Sequence, residues 1–213
     1  MIESISIVIP SYNESENINE VYKRTTEVIK KLNIKKYELI FVENGSKDNS
    51  LELLKKINSE NQSVKIISLS RNFGYQSAIA VGLKYSQNDY VCVMDGDLQD
   101  PPEIIMDFVK KITEGYDVVY GIRIKRKANF IKKMFYNLFY EIYSKLSEID
   151  VPKKAGDFCL MNKKVVKNIV NLNEKNLFMR GLRSWVGFKQ VGVEYKRDHR
   201  YAGKTNFSFF GAM

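Results

Sequence analysis

The stretch "VMDGDLQD" (93–100) ends an apolar run with Asp95, Asp97 and Asp100. Carboxylates packed that closely raise one another's pKa, so the cluster is costly unless a cation or a set of donors compensates it. Asp95 and Asp97 stand two residues apart around Gly96. In extended backbone their side chains point the same way, and the glycine leaves room for a ligand to approach. Hard oxygen ligands at this spacing suit Mg²⁺ or Mn²⁺ shared with substrate phosphates. Asp100 directly precedes Pro101 and Pro102, which suit the first turn of a helix, and it reads as that helix's cap.

A second polar loop, "VENGSKDNS" (42–50), follows another apolar run. Gly45 permits the turn, Asp48 or Asn49 suits a helix cap, and Glu43 and Asn44 could accept hydrogen bonds from a base or ribose. Taken singly, the loop could equally be an ordinary helix cap. Two other signals carry less. "GKT" (203–205) has Asp198 where a phosphate-cradling loop needs its upstream glycine, and no strand-to-helix pattern surrounds it. The lone histidine, His199, lies between Asp198 and Arg200 and reads as an exposed or hydrogen-bonding residue rather than a base.

The elements that must position these loops are legible as β-branched apolar runs at 5–10, 37–42, 64–70, 89–95 and 116–121, separated by longer helix-like stretches. Such alternation predicts βαβ units and a mainly parallel sheet flanked by helices. The acidic loop then lies at the carboxyl end of a strand, the edge where open α/β sheets bind ligands. In the first crossover, Ser11 or Asn13 could cap a helix, Glu14 and Glu16 suit its first turn, and Val21, Val28, Ile29 and Leu32 form its apolar stripe. Beyond residue 150 the pattern is less regular: short strands are expected at 156–162 and 189–197, with a helix at 177–188.

At 213 residues and 44% hydrophobic, the chain can bury a sizeable core in a single domain, 1–213. Cys92 and Cys159 each lie in an apolar run and read as buried thiols, with no disulfide framework or zinc spacing. No segment approaches the ~18 apolar residues of a membrane span. The net charge of +9, from 34 Lys+Arg against 25 Asp+Glu, favours a polyanionic partner: nucleic acid, nucleotide phosphates or anionic lipid. Residues 121–140 hold Arg123, Lys125, Arg126, Lys127, Lys132 and Lys133 with no acid, which can also be a plain solvated face.

In order and spacing, "IVIPSYNESENI", "FVENGSKDNS", "SRNFGYQSAIAVGLKYS", "VMDGDLQDPPE", "GDFCLMNKKV", "FMRGLRSWVGF" and "RDHRYAGKTNF" resemble the family-2 glycosyltransferases of GT-A (Rossmann-like) fold, and more narrowly the polyprenyl-phosphate branch. The resemblance covers nearly the whole chain. One departure is Glu43-Asn44-Gly45-Ser46 where the family usually has Asp-Asp-Gly-Ser, which leaves the nucleotide base open.

The resemblance implies an inverting transfer of sugar from a nucleotide-sugar donor to a polyprenyl phosphate at the cytoplasmic face of a membrane. It places Pro10, Tyr12, Asn13, Glu14, Glu43 and Asn44 at the nucleoside, Arg71 on the sugar nucleotide, and Asp95, Asp97 and Gln99 on the metal. Arg123, Arg200 and Lys204 meet phosphates, and Asp157 holds the position of base or acceptor organiser. It also implies transmembrane helices after the catalytic domain, with 197–213 as the acceptor and juxtamembrane segment. The helix-periodic stretch 128–149, with Phe130, Met134, Phe135, Leu138 and Ile142 on one face and Lys132, Lys133 and Lys145 on another, is expected to lie in the membrane interface, a core-packing helix being the plainer reading. Homo-oligomerisation is left open. Two rivals stand: a family-2 transferase with a polysaccharide or soluble acceptor, and a basic nucleic-acid-binding protein. The second leaves "MDGDLQD" unexplained, so no nucleic-acid partner is expected.

Overall fold

The computed structural model describes residues 2–124, 155–172, 174, 175 and 177–203. The expected interface helix at 128–149, Lys204 and the tail after it lie outside the described residues. Strands form at β1 (Ser4–Ser11), β2 (Lys36–Glu43), β3 (Val64–Ser68), β4 (Tyr90–Val93), β5 (Val118–Arg123), β6 (Ala155–Asn162) and β7 (Gln190–Tyr195). Helices are α1 (Ile18–Lys31), α2 (Ser50–Glu60), α3 (Tyr75–Tyr85), α4 (Ile105–Thr113), α5 (Lys163–Asn171) and α6 (Met179–Trp185). Every run expected to be a strand is one.

The strands make one seven-stranded sheet in the order β3-β2-β1-β4-β6-β5-β7. Among the described strands, β6 alone runs against its neighbours, pairing antiparallel with β4 and β5. All eight residues of β1 are buried, as the middle of a sheet covered on both faces requires. Side-chain alternation divides the core in two. Ile5, Ile7, Ile9, Leu39 and Phe41 pack under α1, α2 and α4. Val8, Ile40, Val42, Val91 and Val93 pack under α3, α5 and α6.

Close packing of α3 on β1 depends on Gly82, where an added Cβ would lie 2.2 Å from Val8 Cγ1 and 3.2 Å from Val42 Cγ2. Gly82→Ala is therefore expected to destabilise the chain by roughly 1–3 kcal/mol of overpacking, partly offset by the better helix propensity of alanine. Thermal melts of Gly82→Ala with and without Val8→Ala check this. The second substitution removes the clashing methyl and should recover part of the loss.

Two local expectations are corrected. Helix α1 begins after Asn17, not at Ser11 or Asn13. Ser11 is still in β1, and Asn13 takes a left-handed φ of 53° in the turn between them. Glu14 ends the turn with its carbonyl, which accepts from the amides of Asn17 and Ile18. Nor is Asp100 a helix cap, since the 3₁₀ turn at Pro102–Ile104 has Pro101 at its N-cap position and no side-chain cap bond. Cys92 and Cys159 are free and buried, as expected.

Candidate active site

The loops after β1, β2 and β4 meet at the carboxyl edge of the sheet. The first two are stitched together by side chains. The Asn13 amide donates to Ser46 Oγ at 3.0 Å and Asn13 Oδ1 accepts from the Lys47 amide at 2.8 Å. The Glu14 amide donates to Ser50 Oγ at 3.0 Å, while Asp48 accepts from the amides of Ser15 and Ser50. Tyr12 and Asn13 remain partly exposed beside the 43–46 turn, and Pro10 is buried at the end of β1.

Glu43 and Asn44, expected at a base or ribose, tie the turn after β2 to β3 and the loop that follows it. Glu43 is buried and accepts from the Ser46 amide and from Ser68 Oγ. Asn44 donates to Asn72 Oδ1 and to the Gly74 carbonyl, both at 3.2 Å, and accepts from the Phe73 amide at 2.9 Å. Gly45, at φ 71°, lets the turn seat against the backbone of Arg71, where an added Cβ would be 2.5 Å from two of its atoms. Arg71 itself is exposed on this rim, its guanidinium 4.0 Å above the Phe73 ring. Asn44→Ala leaves the Phe73 amide without its acceptor and is expected to cost about 1–3 kcal/mol. Hydrogen exchange at the Phe73 amide should speed up well before global unfolding.

The acidic loop carries the charge. Asp95 Oδ1 accepts from the hydroxyl of Tyr75, the first residue of α3. Burial, then the neighbouring Asp100 charge, pushes the Asp95 carboxyl up to about 7. Burial, Asp95 and Asp157 likewise push the Tyr75 phenol well above its ordinary value, which keeps it a donor. Asp97 Oδ1 accepts from the Gln99 amide at 3.1 Å, and its Oδ2 is 3.3 Å from Arg200 Nη1. Gly96 does not open a path for a ligand as expected. An added Cβ would face the protein, 3.1 Å from the Pro10 carbonyl and 3.6 Å from Ile9 Cγ2, so the missing side chain lets the loop seat on β1.

The segment after β7 is laid across this loop. Asp198 donates its amide to the Gln99 carbonyl at 2.9 Å, and Ala202 exchanges hydrogen bonds with the side chain of Asn17. Arg200 Nη2 reaches both oxygens of Glu14, at 2.6 and 2.7 Å. Glu14, expected at the nucleoside, is therefore the buried anchor of Arg200; burial raises its pKa against the opposing pull of Asn17 and Arg200. Arg200, the expected phosphate ligand, sits between Glu14 and Asp97.

Asp157 comes to the same place by the reversal of β6. The antiparallel register pairs Val93 with Cys159, so two residues onward along β4 and two back along β6 bring Asp95 opposite Asp157. Gln76 Nε2 donates to Asp157 Oδ2 at 3.3 Å and Arg180 Nε lies 3.4 Å from Oδ1. Gln76 is itself fixed by the Met179 amide, which donates to its Oε1 at 2.8 Å.

Sequence reasoning missed Tyr75, Gln76, Arg180 and Arg197. All four lie inside stretches singled out above, "SRNFGYQSAIAVGLKYS", "FMRGLRSWVGF" and "RDHRYAGKTNF", but nothing in their spacing assigns a partner. The donor set fits a hard divalent cation. Asp95 and Asp97 offer carboxylate oxygens, burial disfavours the uncompensated Asp95 charge, and no third His, Cys, Asp or Glu joins them among the described residues. The remaining coordination positions are thus left to Gln99, water and a phosphate ligand, the usual arrangement for Mg²⁺ or Mn²⁺.

The Glycosyl transferase family 2 model matches residues 6–170. The chain is 50% identical over 203 residues to the uncharacterized glycosyltransferase YkcC of Bacillus subtilis, covering 95% of this chain and 62% of that protein. It is 37% identical over 205 residues to the prophage bactoprenol glucosyl transferase homolog of Escherichia coli, covering 96% of this chain and 67% of that one. The chain thus spans less than two thirds of the length of the first of these relatives. Among solved structures, glucosyl-3-phosphoglycerate synthase from Mycobacterium tuberculosis in complex with Mn²⁺, uridine-diphosphate-glucose and phosphoglyceric acid shares the fold. Its TM-score is 0.59 at 17% identity, over 94% of this chain and 73% of that chain.

Proposed function

The chain belongs to glycosyl transferase family 2, and we propose that it is an inverting glycosyltransferase moving a sugar from a nucleotide-sugar donor to a polyprenyl phosphate, undecaprenyl or dolichyl, at the cytoplasmic face of a membrane. One observation carries the reading: Asp95 and Asp97 lie in the loop that follows β4 at the carboxyl edge, Asp95 opposite Asp157, with Arg123 beside Asp95 and Arg200 beside Asp97. The relative named for bactoprenol glucosyl transfer supports the lipid acceptor, and the neighbour holding Mn²⁺ with a sugar nucleotide supports the metal and the donor. In this reading residues 1–213 are one catalytic domain.

The acceptor makes the chemistry simpler than hydrolysis. A lipid monophosphate has its second pKa near ~6, so it is largely an ionised nucleophile at neutral pH and needs no strong base. Attack of its oxygen on the anomeric carbon, with departure of the nucleoside diphosphate from the opposite face, inverts configuration. Mg²⁺ or Mn²⁺, when bound, neutralises the diphosphate and makes it a better leaving group. Asp95, Asp97 and Gln99 would hold that ion. Pro10, Tyr12 and Asn13 border the nucleoside, with the 43–46 turn shaped by Glu43 and Asn44. Arg71 reaches the sugar nucleotide from the rim, and Arg123, Arg200 and Lys204 draw the two anions together against their repulsion. Asp157, clamped by Gln76 and Arg180, orients the acceptor beside the donor.

Membranes carrying the full chain, incubated with a panel of radiolabelled sugar nucleotides and polyprenyl phosphate, test this directly. Chloroform-extractable label should form with at least one donor, vanish with a chelator and return with added Mg²⁺ or Mn²⁺. Label that stays water-soluble, or no transfer from any donor, would overturn the assignment.

A further inference from the structure

Asp100 is fully buried, and a lone carboxylate there would be expensive. Three donors surround it. Tyr195 Oη donates to Oδ1 at 2.5 Å, Arg123 Nη2 to Oδ2 at 2.7 Å, and Arg197 Nε lies 3.3 Å from Oδ1. The same two guanidinium groups each turn an Nη2 toward Asp95 Oδ2, at 3.5 and 3.6 Å. Both arginine side chains remain about one third exposed, 34% each. A guanidinium has five N–H groups, so these contacts leave donors for a ligand.

The surroundings are shaped to hold this arrangement. Gly121 lacks the Cβ that would strike the Tyr195 ring at 2.5 Å, and Phe158 meets that ring edge-on at 5.8 Å. The parallel register pairs Arg123 with Tyr195, so the end of β5 and the residue two beyond β7 present their arginines side by side. In the strand order these elements lie on the far side of β4 from β1 and β2, whose loops carry the proposed nucleoside contacts. An anion received here would lie on the side of Asp95 away from the proposed nucleoside loops.

We infer that Asp100 is a positioning residue that fixes Arg123 and Arg197 as a two-armed fork for the acceptor's phosphate, with Arg197 a phosphate ligand in its own right. The inference rests on the glycosyl-transfer reading above. The two guanidinium groups are shared between Asp100 and Asp95, which holds them side by side, and their remaining paired N–H donors match the geometry of phosphate oxygens better than an ammonium does.

The test uses the full chain, a short-chain isoprenyl monophosphate as acceptor probe and, in a parallel binding arm, inorganic pyrophosphate with Mn²⁺. Arg197→Gln should raise the acceptor KM, and weaken monophosphate binding, by about 10-fold or more, the loss of a charge-assisted bond. The donor KM and pyrophosphate binding should stay within about twofold of wild type by the same reckoning. Asp100→Asn should produce the same acceptor-selective split through loosened arginines, and Arg197→Lys should recover only part of it. Because Asp100→Asn can fail to fold, the surface variant Arg197→Gln decides. An unchanged acceptor KM in folded Arg197→Gln, or a loss that falls on donor and pyrophosphate instead, overturns the fork while leaving the transferase reading intact. A wild-type chain that binds neither probe overturns both.

Discussion

Asp97→Ala is expected to reduce sugar transfer by about 10³-fold or more, because removing an electrostatic element aimed at the developing charge of the leaving group costs several kcal/mol of transition-state stabilisation. Asp97 is one of two carboxylates that would be available to the cation, and the other, Asp95, already faces Tyr75, Arg123 and Arg197. Without Asp97, Asp95 would be the one carboxylate of the pair left to hold a divalent cation on the diphosphate. The fold itself should survive. Asp97 is partly exposed and contributes one hydrogen bond to the Gln99 amide and a 3.3 Å contact to Arg200, whose bidentate partner Glu14 remains. The check is transfer of radiolabel to chloroform-soluble product alongside a melting curve. A folded variant that keeps a tenth or more of wild-type activity would refute a metal-holding role for Asp97.

Asp100→Ala should act on stability instead. Removing one partner of a buried, hydrogen-bonded charge group typically costs about 3–5 kcal/mol, an upper bound here because both arginines are one third exposed and still face Asp95. Here the side chain removed is fully buried, and Arg123, Arg197 and Tyr195 all lose their common acceptor. For a domain of this size such a loss lowers the melting temperature by roughly 10 °C, at about 2–4 °C per kcal/mol. Denaturant unfolding of the purified chain measures it. A shift under about 1 kcal/mol would mean that the arginines find other partners and that Asp100 does not organise them.

The two predictions separate neighbours three residues apart in one loop. In the sequence, Asp97 pairs with Asp95 as a candidate metal ligand and Asp100 reads as a helix cap. The tertiary structure gives Asp97 an accessible edge and gives Asp100 complete burial between β5 and β7. The same distinction holds at Glu14. Its placement before an amphipathic stretch reads as a helix first turn, yet its partner Arg200 lies 186 residues away.

What the sequence alone determined is what depends on local periodicity and turn chemistry. The β-branched runs set the strands, the alternation of strand and helix set the α/β class, and the Asp-Gly-Asp loop at a strand's end marked the candidate site, because each is decided by residues within a few positions of one another. Only the folded chain decided the rest. Strand order, the reversal of β6 that brings Asp157 opposite Asp95, and the burial that makes Asp100 an anchor are products of pairings between distant segments. Those pairings are selected by the free energy of covering both faces of the sheet and of matching each buried charge, and neither quantity is defined until the whole core has assembled.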